Sequence, residues 1–238
     1  MNFDVESRLI LKYIGGSHAY GTTTEESDTD YRGVVIPPKS YFLGLSHFEQ
    51  YERQDPDMVY YDIRKMAQLA LSGNPNILEC LFVDEYLTMT TYGTRILNIR
   101  NEFLARNCVR AYMGYAQQQL HRLNSKTLPA CRTEKRKALV EKYGYDTKYA
   151  LHIFRLLKTG IEILKEGVLR VRRPDAAFLL EVRNGKYTMK EVNQMAEDLM
   201  EEMRQAEKSS ELPSSPDFNK VNATITGIVE SYLQENDQ

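Results

Sequence analysis

A chain of 238 residues with 42% apolar content is long enough to bury a core, as one domain or as a domain with an appendage. The net charge of −2 is unremarkable, no run of about 18 apolar residues occurs to span a membrane, and the N-terminal MNFDVESRL lacks the basic-then-apolar order of a signal peptide; the sequence predicts a cytoplasmic chain with no membrane partner. Three scattered cysteines (Cys80, Cys108, Cys131) and four histidines without i, i+4 pairing exclude a disulfide framework and make a zinc centre a poor fit; the cysteines read as structural thiols.

Up to about residue 65 the chain alternates short β-branched and aromatic runs with turn formers: RLILKYIGG, YRGVVIPP, HFEQYER and MVYYDIRK, with Asp55-Pro56-Asp57 as a hairpin turn. The pattern predicts a small, mainly antiparallel sheet. Within it, Gly15 and Gly16 follow the strand LILKYI, so the backbone can turn sharply and bring N–H groups to a bound anion, and Ser17 adds a hydroxyl. Tyr20 and Gly21 continue this loop, Thr22 to Thr24 add hydroxyls, and His18 is either a phosphate contact or plain surface.

Asp28-Thr29-Asp30 stands before the next strand, and strand periodicity places its two carboxylates on one face. Two like charges held that close repel, and a divalent cation with hard oxygen preference, Mg2+ or Mn2+, gives them a reason to stay. Arg32 shares that face, where it either neutralises phosphate charge or pairs with Asp30.

From Ile63 the period becomes helical. Ile63, Met66, Ala67, Ala70 and Leu71 form one stripe, Ser72-Gly73-Asn74-Pro75 stops it, and Pro75 opens a second helix through Ile77, Leu78, Leu81 and Phe82. Residues 95–205 read as four or five helices broken near SKTLPAC and VLRVRRPD. Ser209 to Asp217 is an exposed Ser/Pro-rich link to a last helix, Phe218 to Leu233. Domain boundaries are expected at 1–95, 96–208 and 209–238.

Around residue 150, Lys148, His152 and Arg155 fall at i, i+4, i+7, joined by Tyr145, while Ala150, Ile153, Phe154, Leu157, Ile161 and Leu164 lie opposite. This face is either a solvent-facing polar surface or, since it lacks the mixed signs usual on one, turned toward the triphosphate or acceptor. Tyr115, Gln119 and Arg122 repeat the spacing on an earlier helix. Residues 101–173 carry 16 Lys and Arg against 6 Asp and Glu, leaving 15 against 27 elsewhere; this basic middle favours a nucleotide or RNA as partner.

Gly16-Ser17, ten residues, then Asp28-x-Asp30 between two strands resembles the signature of the DNA polymerase beta nucleotidyltransferase superfamily. The strings GSHAYGTTTEESDTDYRG (16–33), GNPNILECLF (73–82) and YGYDTKYALHIFRLL (143–157) are similar more narrowly to the RNA repair pathway DNA polymerase beta family. The resemblance implies an α+β fold, with a small mixed or antiparallel nucleotidyltransferase sheet flanked by helices and then a helical C-terminal region. It implies an NTP bound with Mg2+ or Mn2+ at Gly16, Ser17, His18, Tyr20 and Arg32, and transfer of a nucleotidyl group to an acceptor hydroxyl, RNA or another nucleic acid above all. Asp28 and Asp30 would be metal ligands. The third carboxylate of the superfamily sits on a neighbouring strand, which favours Asp62 in VYYDIRK as ligand and possible base, with Asp57 and Glu79 as rivals. A protein or small-molecule acceptor, or a silent nucleotide sensor, are the alternative readings.

Overall fold

The computed structural model describes residues 3–25, 27–125 and 134–237. They form two compact units: Met1–Leu104 with Ser215–Gln238, and Ala105–Ser214.

The first unit is built on a five-stranded sheet of order β3-β4-β2-β1-β5, with β1 Leu9–Ile14, β2 Tyr31–Val35, β3 Gln50–Gln54, β4 Asp57–Asp62 and β5 Thr88–Met89. β1 pairs antiparallel with β2 and β5, and β3 antiparallel with β4 across the expected turn at Asp55-Pro56. The pairing of β2 with β4 is parallel, so the sheet is mixed. Leu9, Val35, Phe48, Met58 and Tyr60 pack together with Val5 in a core, edged by Phe3, Tyr31, Tyr41 and Tyr51.

Helices α1 Gly16–Tyr20 and α2 Ser40–Leu43 are short; α3 Ile63–Leu71, α4 Pro75–Cys80 and α5 Thr91–Leu97 follow. The stripe on α3 is buried as its period requires, at Ile63, Met66, Ala67 and Ala70, and Gly73 and Asn74 end it, with Asn74 capping α4 and Pro75 in its first turn. At the other end of the chain, the last helix returns to this unit. It packs on α5, on α3 and on the turn Arg100–Phe103; Tyr92 donates to Glu235 Oε2 at 2.5 Å and Arg95 to Ser231 Oγ at 3.2 Å.

The second unit holds α6 Cys108–Asn124, α7 Glu134–Tyr143, α8 Thr147–Glu166, α9 Ala176–Arg183 and α10 Met189–Ser209; the helix of the first unit's return, Phe218–Asn236, is α11. The break expected at SKTLPAC falls from residue 126 on outside the described residues, as does Cys131; Cys80 and Cys108 are free, buried thiols. α8 is the centre, packed against α6, α9 and α10. The approach is close at Gly160, where a Cβ would stand 2.3 Å from Met203 Cε and 3.4 Å from Tyr112 Cβ. No helix among the described residues is long and apolar enough to cross a membrane.

Candidate active site

Where β1 ends, Gly16 takes φ +60°, a left-handed backbone that an L side chain resists. A Cβ there would also lie 1.9 Å from Asp30 Oδ2. Two requirements for glycine thus coincide: the chain turns, and the Asp30 carboxylate rests directly on the turn. The Gly15 N–H donates to the Asp30 carbonyl at 2.8 Å and fixes the two segments together. The turn continues as α1, closed by Gly21 at φ +73° and by the Thr22 N–H donating to the Ser17 carbonyl at 3.0 Å.

Asp28 and Asp30 lie just before β2, with Asp28 exposed and Asp30 half-buried. The parallel register sets Tyr31 beside Met58 and Arg32 beside Val59, which carried back one step sets Asp30 beside Asp57. The strand period of two then puts Asp30, Arg32, Asp57 and Val59 on one face. Arg32 forks onto Asp57 through Nη1 to Oδ1 and Nη2 to Oδ2, both at 3.1 Å, and Nη2 reaches Asp30 Oδ1 at 3.4 Å. Loss of water raises the Asp30 carboxyl above the ordinary range, a hydrogen bond shared with Asp57 and the charge of Asp28 add to the rise, and Arg32 opposes it. Asp57 goes the other way: burial works to raise it, but its hydrogen bonds to Arg32 and Asp30 and the charge of Arg32 hold it below the ordinary range.

Asp62, expected as the third carboxylate, stands elsewhere. It pairs with Val35, five residues along β4 from Asp57, which is about 16 Å at about 3.3 Å per residue. The odd separation turns it to the opposite face, with Met58 and Tyr60. There it is 1% exposed, caps α3 by accepting from the Arg64 N–H at 2.6 Å and the Lys65 N–H at 3.3 Å, and accepts from Arg64 Nη2 at 2.9 Å. A helix cap and an ion pair take up its oxygens. Asp57, read from sequence as a turn former, is the carboxylate beside Asp30.

Tyr20, expected near a bound nucleotide, is 8% exposed and donates from its hydroxyl to Glu79 Oε2 at 2.8 Å, which ties α1 to α4. Glu79 is 6% exposed, and this bond gives it a packing role. Ser17 is half-buried and His18 exposed on α1.

In the second unit, α8 presents Lys148 and His152 half-buried, and Arg155 at 4% exposure, where a solvent-facing polar surface was one expectation. Burial, then the charges of Arg155, Arg136, Lys148 and Arg183, push the His152 imidazole down to about 3, so it is neutral near pH 7. Arg136 of α7 lies 4.3 Å from the centre of the Tyr149 ring and donates to Asp146 Oδ2 at 2.7 Å. Tyr145 turns its hydroxyl to the Tyr187 carbonyl at 2.7 Å. Of the earlier row on α6, Tyr115 is 38% exposed, Gln119 half-buried and Arg122 exposed.

The donor set around Asp30 is hard carboxylate oxygen, which suits Mg2+ or Mn2+; such ions commonly take one or two carboxylates and complete their shell with water and substrate phosphate. Among the described residues no three His, Cys, Asp or Glu side chains are gathered for a metal as they stand, and it is the Arg32 guanidinium that joins Asp57 to Asp30.

Among known proteins, the chain is 25% identical over 128 residues to an uncharacterized 38.9 kDa protein in the nrdC-mobD intergenic region of Enterobacteria phage T4, a match to 47% of this chain that spans 38% of that protein. A crystal structure of a nucleotidyltransferase-like protein from Exiguobacterium sibiricum 255-15 aligns with 97% of this chain and 76% of its own, at 10% identity and a TM-score of 0.29, too loose to bear on the site. The RNA repair pathway DNA polymerase beta family matches residues 2–226, nearly the full length, and the chain belongs to that family.

Proposed function

We propose that the protein is a metal-dependent nucleotidyltransferase that moves a nucleoside monophosphate from an NTP to an acceptor hydroxyl, with RNA as acceptor and pyrophosphate as leaving group. Family membership supports nucleotidyl transfer. The observation that carries the residue assignment is the contact between Gly16 and Asp30: the bend fit for a triphosphate and the carboxylates fit for a cation are one place.

In this reading Gly16 and Ser17 hold the triphosphate, with His18 at the rim. Asp28, Asp30 and Asp57 hold Mg2+, which when bound neutralises phosphate charge and favours in-line displacement at the α-phosphorus. Asp57 would take the ligand role expected of Asp62. Arg32 adds a planar cation to the same group. In the second unit we assign Lys148, His152 and Arg155 to phosphate contact, supported by their i, i+4, i+7 spacing along α8.

Incubation with labelled NTPs, Mg2+ and a total RNA pool tests the proposal. The expected result is label on RNA with release of pyrophosphate. Asp28→Ala with Asp30→Ala should cut this by about a thousandfold or more, the rate equivalent of several kcal/mol of charge stabilisation, without lowering Tm. Label on the protein or on a small molecule would replace RNA as acceptor; nucleotide binding without pyrophosphate release would overturn the enzyme reading.

A further inference from the structure

Asp30 and Asp57 are two carboxylates on one strand face, an arrangement that calls for a cation, and the protein supplies one of its own. Arg32 places its two Nη atoms on Asp57 at 3.1 Å each and bridges to Asp30 at 3.4 Å. We propose that Arg32 is a resident counter-cation of this group: a divalent ion entering between Asp30 and Asp57 displaces its guanidinium, and the freed guanidinium then takes triphosphate oxygens, so that metal and nucleotide load the site cooperatively. The inference rests on the metal-site reading above.

Three features support an exchange rather than a fixed strut. First, one guanidinium, always protonated, faces two carboxylates, Asp30 at 3.4 Å and Asp57 at 3.1 Å, a pair that matches two positive charges better than one. Second, the carboxylate that Arg32 grips is accessible, since the Asp57 side chain keeps 46% of its exposure, whereas Asp62 under Arg64 keeps 2%. Third, the stem lies on the bend itself, with Arg32 Cγ 3.2 Å from where a Gly15 Cβ would stand. Released from Asp57, the guanidinium would stay beside the Gly15-Gly16 bend, and its planar fork suits phosphate as well as carboxylate.

The test is a titration of the full chain with Mn2+ alone, then with Mn2+ and a non-hydrolysable ATP analogue, for the wild type, Arg32→Gln and Arg32→Lys. Arg32→Gln should bind Mn2+ about tenfold tighter than the wild type, because a competing cation is gone. Its Tm should be lower without metal and restored by Mn2+, and the gain in analogue affinity that Mn2+ gives the wild type should shrink. Arg32→Lys, which keeps the charge but not the fork, should fall between, and it carries the test if the glutamine variant does not fold. Equal or weaker Mn2+ binding in the variants than in a wild type that binds Mn2+ overturns the exchange and leaves the metal site standing. No Mn2+ binding by any of the three proteins, with or without the analogue, overturns both.

Discussion

Asp57 and Asp62 begin and end the same strand, and the odd number of steps between them sends one carboxylate to the Asp30 face and the other to the cap of α3. Asp62→Ala should therefore act on stability, not on metal. Loss of an N-cap costs about 1 kcal/mol, and Arg64 loses its buried partner as well, so a drop in Tm of several degrees is expected with Mn2+ affinity unchanged. Calorimetry beside a Mn2+ titration checks both halves; a variant with native Tm and lost Mn2+ binding would return the ligand role to Asp62. The turn at Gly16 was legible because a glycine pair directly after an apolar strand run announces a bend within a few residues of chain. Asp57 was not, because its neighbour depends on the parallel pairing of β2 with β4, which no local pattern reveals. The signal for Asp62 was present: an Asp directly before the first residue of an apolar helical stripe is the mark of an N-cap.

The helix α8 shows how far periodicity reaches. The apolar stripe is buried as read, but Arg155 on the other face is buried too, at 4% exposure, and the spacing of charges along one helix cannot say what other helices bring near them. Arg136 of α7 and Arg183 of α9 both act on His152. Since the folded imidazole is held at about 3 against an ordinary 6.5, the unfolded chain takes up a proton that the folded chain refuses as pH falls through 6.5. Stability should then decrease from pH 6.5 toward pH 5, by up to about 1.4 kcal/mol per pH unit. Guanidine unfolding of the wild type and His152→Gln across this range reads it. The variant should lack this share of the slope; parallel slopes would mean that His152 protonates freely in the folded chain.

At the scale of the whole molecule, the basic middle of the sequence overstates the positive charge available to a partner. Lys158 pairs with Asp175, Lys165 with Glu202, and Glu162 binds both Arg170 and Arg173. Acidic residues beyond position 173 supply two of these partners, a compensation hidden when segments are counted separately. Likewise the return of α11 to the first unit was not legible: an amphipathic helix states that it needs an apolar partner, not which one. In the proposed function, Asp28, Asp30 and Asp57 together would seat a divalent cation against the Gly16 bend. Crystals grown with Mn2+ and a non-hydrolysable NTP, with the metal located by anomalous scattering, test it most directly. Mn2+ is expected on Asp30 and Asp57 with Asp28 at its side, phosphate at Gly16 and Ser17, and Asp62 still on Arg64; a metal held by Asp62 or Glu79, or Asp57 still gripped by Arg32 with the metal elsewhere, would refute this assignment.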